Sequence, residues 1–136
     1  MYQENGHVTK LAEDGGHDHS GNITVFGTSN SSPTDTFQAF MNTASPGGDA
    51  VLLAEAGFDD GVCFQNNGSP KALERQNSNR PRAHLEVEGP DVWCGIEVIL
   101  PSSLSPTNTF TLYWIWTFDG KGFVERYTTC LDIIVI

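Results

Sequence analysis

One stretch constrains this chain more than any other: residues 109–118, TFTLYWIWTF, ten uncharged residues with two tryptophans, one tyrosine and two phenylalanines. β-Branched and aromatic side chains suit a pleated surface, and a run this apolar needs cover on both faces. Alternation puts Phe110, Leu112, Trp114 and Trp116 on one face, with Thr111, Tyr113 and Ile115 on the other. Such a strand needs neighbours. HLEVE (84–88), DVWCGIEVIL (91–100) and LDIIVI (131–136) have the same character, and Pro101 and Pro106 stop ladder pairing between two of them. Upstream, NITVFGT (22–28) reads as a strand and AVLLAEA (50–56) as a short strand or a helical turn. TDTFQAFMNT (34–43) is the one expected helix, capped by Thr34 or Asp35, though its length also suits a strand. Residues 11–21, 44–49 and 65–82 read as long loops.

Six or seven short strands with few helices define an all-β fold, an antiparallel immunoglobulin-like or fibronectin-like β-sandwich. At 136 residues the chain is one domain at most, spanning 1–136. It opens directly in YQENGHV, and its first half supplies few strands. The sandwich is therefore expected to be incomplete, the N-terminally truncated piece of a larger domain.

Acidic residues outnumber basic ones 17 to 7, for a net charge of −10. That field repels phosphate backbones and anionic lipid, so neither nucleic acid nor a membrane is an expected partner; a neutral partner such as a polysaccharide or cell wall is compatible with it, though the charge does not point to one. Residues 1–10 lack the apolar core of a secretory signal. Three sequons, at Asn22, Asn30 and Asn67, have a mechanism only in an exported protein, and Pro70 makes the third a poorer acceptor.

The three cysteines, Cys63, Cys94 and Cys130, leave one unpaired. None has zinc-like spacing. A Cys63–Cys94 disulfide is expected, closing a loop worth roughly 3 kcal/mol in the chain-entropy account. Cys130 then stays alone, on a strand whose sequence looks buried. His7, where a turn feeds a strand, is the kind of histidine that more often serves as a surface or capping residue. His17 and His19 in GGHDHSG would point to one side of an extended segment and could share a metal, but the Gly- and Ser-rich context favours a solvated loop. His84 has no partner in view, and FDDG (58–61) reads as a turn. No nucleophile elbow, P-loop or dinucleotide fingerprint is present.

ERYTTC (125–130) followed by a hydrophobic last strand resembles the closing segment of fungal copper-dependent lytic polysaccharide monooxygenases. YQENGHVT, FDDGVCFQNNG, DVWCGIEVILP and TLYWIWTF together resemble secreted fungal proteins of unassigned function related to those enzymes. The resemblance implies an extracellular β-sandwich with copper as cofactor. It makes His7 and Tyr127 metal ligands, Tyr127 axial, with Glu125 beside it as a second catalytic residue. It pairs Cys130 with a cysteine upstream of His7. Imidazole nitrogens suit copper, and neighbouring groups tune it. The departure is at residue 1: those enzymes use an N-terminal histidine, and this sequence has Met1.

Three functions follow as expectations. The chain is an oxidative, glycan-active copper domain, inactive without the N-terminal histidine. Alternatively it is a non-catalytic secreted module that binds glycan or cell wall, with Trp93, Tyr113, Trp114 and Trp116 available for stacking on sugars, although such rings more often fill a core. Or it is a degenerate fragment that exposes a strand edge and aggregates.

Overall fold

The computed structural model describes residues 1–14, 19–43, 50–78, 90–119 and 123–136, the side chains of 14 and 41–43 excepted. The elements are β1 (Asn22–Thr28), α1 (Phe37–Thr43), β2 (Ala50–Gly57), α2 (Pro70–Gln76), β3 (Thr109–Asp119) and β4 (Val124–Ile134), preceded by a 3-10 turn at Ala12–Asp14. The four strands form one open antiparallel sheet in the order β2-β1-β3-β4, so the fold is mostly β and sandwich-like. The chain divides into two compact units. The first holds residues 1–22, 56–96 and 118–125; the second holds 23–55, 97–117 and 126–136.

The second unit is built around β3, which is covered on both faces as its composition requires: Phe110, Thr111, Ile115 and Trp116 are buried. One face of the sheet receives α1. Phe40 stacks on Phe26 with centroids 5.8 Å apart and on Tyr113 at 4.3 Å, and Ile115 and Ala50 close the cluster. Gly27 in β1 is required by close approach: a Cβ there would lie 2.4 Å from the Phe110 ring and 2.8 Å from Leu53. The cap of α1 is Thr36, whose Oγ1 accepts from Ala39 N, rather than Thr34 or Asp35. The Asp35 carboxylate is engaged elsewhere, accepting from Ser32 N and from the Tyr113 hydroxyl at 2.8 Å each.

Among its described residues the first unit has little regular structure and is held by side chains. Residues 4–7 form a type I′ turn, Asn5 and Gly6 both at positive φ (45° and 76°), closed by His7 N donating to Glu4 O at 2.9 Å. The Glu4 carboxylate folds back under this turn, buried, and accepts from Val8 N, Thr9 N, Thr9 Oγ1 and Gln65 N. Cys63 and Cys94 are disulfide-bonded and fully buried beside the cluster of Phe64, Ala72 and Val92.

Several expectations are corrected. Residues 65–82 are not all loop: α2 begins at Pro70, with Ser69 as N-cap accepting from Ala72 N at 3.2 Å. Residues 91–100 do not form a strand. Val92 and Cys94 make single bridges to different partners, Phe64 and Tyr2, so no ladder propagates. LDIIVI is the end of a longer strand that starts at Val124, and β4 is an outer strand rather than a buried one. The HLEVE strand and the residues 44–49 lie outside the described residues.

Candidate functional site

The type I′ turn and the start of α2 deliver polar side chains to one place in the first unit. His7 leaves the turn half-buried, its ring edge-on to Phe58 (6.3 Å) and Phe118 (5.6 Å), and its carbonyl accepts from Ser20 Oγ at 2.6 Å. The Ser20 contact ties residues 19–20 to the turn, and the helix start carries Lys71 in its first turn. The result is an open cavity of about 350 Å³ lined by His7, Val8, Lys10, Ala12, His19, Ser20, Pro70 and Lys71. Two of the chain's four histidines and two of its seven Lys and Arg residues thus line one cavity of an acidic protein. Among the described residues the lining has no carboxylate.

Its floor is rigid. Lys71 Nζ bonds Asp59 at 2.9 Å, and Arg75 bonds both Asp59 (2.8 Å) and the Cys63 carbonyl. Burial raises the Asp59 pKa, but hydrogen bonds from Lys71, Gly61 N and Arg75 outweigh it and hold the carboxyl below its ordinary value. Asp60 accepts from Val62 N, Cys63 N and Gly95 N, each at 2.8 Å, and so braces both arms of the disulfide loop. FDDG is therefore more than a turn: its two carboxylates anchor the unit. Asp60, Cys63 and Cys94 lie close enough to suggest a metal group, but the sulfurs bond each other and offer no thiolate. Burial, with Asp60 and Asp59 adding to it, pushes the Tyr2 phenol well above its ordinary pKa; its hydroxyl donates to Phe58 O at 2.7 Å.

Of the residues singled out in the sequence, His7 and His19 line this cavity together; His17 and His84 lie outside the described residues. Tyr127 is half-exposed in the second unit, its ring stacked 5.1 Å from that of the buried Trp116, and Glu125 is half-buried in the first. Tyr127 is not among the cavity's lining residues. Cys130 is free and exposed, on β4, the last strand of the sheet among the described residues. Asn22 and Asn30 are exposed, whereas Asn67 uses its amide to donate to Thr9 O and to accept from Ser69 N. Of the rings considered for stacking, Trp116 is buried and Trp93, Tyr113 and Trp114 are half-buried.

Sequence reasoning missed Lys10, Ser20 and Lys71 as lining, and Glu4 as the anchor of the turn. Two local signals point there: Asn5-Gly6 for a I′ turn, and Ser69-Pro70 for a helix start that fixes Lys71. No helix among the described residues is long and apolar enough to cross a membrane. Comparison with curated proteins and with solved structures returns no match. A family model does match, across residues 1–136: the chain belongs to the family described as a domain of unknown function, DUF7492.

Proposed function

We propose that this domain is a secreted, non-catalytic binding module for an extracellular glycan, with the His7 cavity as its site and an acidic sugar residue as its preferred ligand there, the basic lining acting locally against the chain's net charge of −10. The observation that carries the reading is the lining itself. His7, Lys10, His19, Ser20 and Lys71 present hydrogen-bond donors to an oxygen-rich ligand, and the Lys10 ammonium, beside a Lys71 that already pairs with Asp59, favours a carboxylate on it. The disulfide suits an oxidising compartment, and exposed Asn22 and Asn30 suit export.

A copper-dependent, oxidative glycan-active lineage is the second reading, favoured by two imidazoles on one cavity. In it the imidazoles of His7 and His19 would hold the ion, copper supplying the redox chemistry that side chains lack. The Lys10 ammonium in the same lining opposes a cation, the charge of Lys71 being offset by Asp59, which is why this reading ranks second.

Calorimetric titration separates them. The full chain, given tri-galacturonate, cellotriose and copper(II) chloride in turn, should bind the uronate in a salt-sensitive way and lose that binding in a Lys10→Ala/Lys71→Ala double variant. Heat from copper at one equivalent, abolished by His7→Ala, with none from the uronate would reverse the order. Silence with all three ligands removes both readings.

A further inference from the structure

Between two single bridges of the first unit, Val92 to Phe64 and Cys94 to Tyr2, stands Trp93. Val92 and Cys94 are 1% and 0% exposed, and Val92 packs into the cluster with Phe64 and Ala72. In an extended stretch the side chain between two such residues leaves on the other side, away from that cluster. The Trp93 Nε1–H is buried nonetheless, and none of the described residues accepts from it. An indole N–H can only donate, so burial without an acceptor carries its full desolvation penalty.

Trp93 lines a cavity of about 40 Å³ whose walls include Gln3, Glu4, Gln65 and Asp91, all in the first unit. Two of these carry carboxylates with lone pairs to spare, because an ionised carboxylate offers about four acceptor sites. Glu4 Oε1 takes Thr9 N, the Thr9 hydroxyl and Gln65 N, whereas among the described residues Oε2 accepts from Val8 N alone, at 2.7 Å. Asp91 accepts from Asn66 N through Oδ1, at 2.7 Å.

Size and polarity select the occupant. A water needs about 10–15 Å³ of such space and two to four polar partners, and both conditions are met. A sugar ring needs a far larger site. An anion would meet two carboxylates, and a cation would meet an N–H that can only donate. A small neutral molecule that both donates and accepts meets neither objection. We propose that this cavity is a binding site for a structural water, which accepts from Trp93 Nε1–H and donates to the Glu4 and Asp91 carboxylates. The water ties residues 3–4, 64–65 and 91–93 together where single bridges propagate no ladder, and it reaches Glu4, the anchor of the Asn5-Gly6 turn.

Nuclear magnetic resonance of the full chain, isotopically labelled, tests this. The Trp93 indole N–H resonance is assigned by contacts from its ring to its own backbone N–H, which needs no variant. In paired NOESY and ROESY spectra that proton should show a cross-peak to water with the sign of dipolar contact with a long-lived molecule, not of chemical exchange. Magnetic relaxation dispersion of water oxygen should report fewer long-lived waters in Trp93→Phe than in the parent, with circular dichroism unchanged. Replacing sodium by tetramethylammonium at constant ionic strength should leave the indole resonance in place. No dipolar contact with water at the Trp93 indole overturns the proposal. So does a folded Trp93→Phe chain that keeps every long-lived water, or an indole resonance that moves with the cation.

Discussion

In the first unit, main-chain N–H groups are taken up by carboxylates and the chain is closed by a covalent bridge. In the second, they are taken up by a sheet whose faces carry aromatic rings. Glu4 serves three backbone donors, Asp60 another three, and Asp59 and Asp91 one each. Phe26, Phe40 and Ile115 do the corresponding work across the sheet through burial alone. The difference teaches something about the acidic composition. Part of the charge excess is structural, since described loops that form no ladder find acceptors in side chains.

Phe40→Ala is expected to have the largest effect. It removes the ring packed between Phe26 and Tyr113 and should cost about 3–5 kcal/mol, read as a large fall in the denaturant midpoint. If the loss is small, the second unit does not depend on its aromatic cluster. Reducing the Cys63–Cys94 bridge, or replacing both cysteines by serine, should remove about 3 kcal/mol. Hydrogen exchange should localise that loss to residues 1–22 and 56–78 and leave β1 and β3 protected; uniform loss of protection would erase the contrast between the units.

Glu4→Ala strands the buried N–H groups of Val8 and Thr9 and should cost about 2–3 kcal/mol, with collapse of the Asn5-Gly6 turn visible in the His7 resonances. A milder contrast comes from pH. Asp59 has a folded pKa below its ordinary 3.8, so it stabilises the fold above that value and loses the contribution as pH falls through the folded pKa. Acid should therefore loosen the first unit before the second. The Tyr113 phenol, raised by burial and by Asp35 to about 12, behaves in the opposite sense. Its contribution is present below pH 10 and is lost as pH rises towards 12. Tyr2 is raised too, so alkali does not discriminate between the units.

The smallest effect is a gain. Thr107 is a β-branched residue at φ 70°, held there by its N–H donating to Val135 O at 2.7 Å. Thr107→Gly relieves that conformation and should stabilise by up to about 1 kcal/mol, seen as a small rise in Tm.

Much of this was legible in residue order. TFTLYWIWTF announces a strand covered on both faces, because uncharged β-branched and aromatic residues have no other comfortable place; Thr109–Asp119 is that strand. NITVFGT likewise becomes β1, and the two cysteines flanked by turns do bond each other. α2 escaped notice although Ser69-Pro70 marks its start, because seven residues among Asn, Gly and Arg carry too short a period to stand out. DVWCGIEVIL misled for the opposite reason: β propensity needs a continuous partner, and here each bridge goes to a different one.

The sequence by itself determined periodicity, turn chemistry and which groups can bond, since these depend on neighbours a few residues away. Only the tertiary structure decided who stands at an edge and who shares a cavity. Composition makes YTTCLDIIVI look buried, yet strand order leaves Cys130 and Leu131 in solvent. His7 and His19 line one cavity because Ser20 bonds the His7 carbonyl and α2 carries Lys71 to it, contacts that span 13 residues and more. Burial and proximity are properties of the whole packing, and no local pattern encodes them.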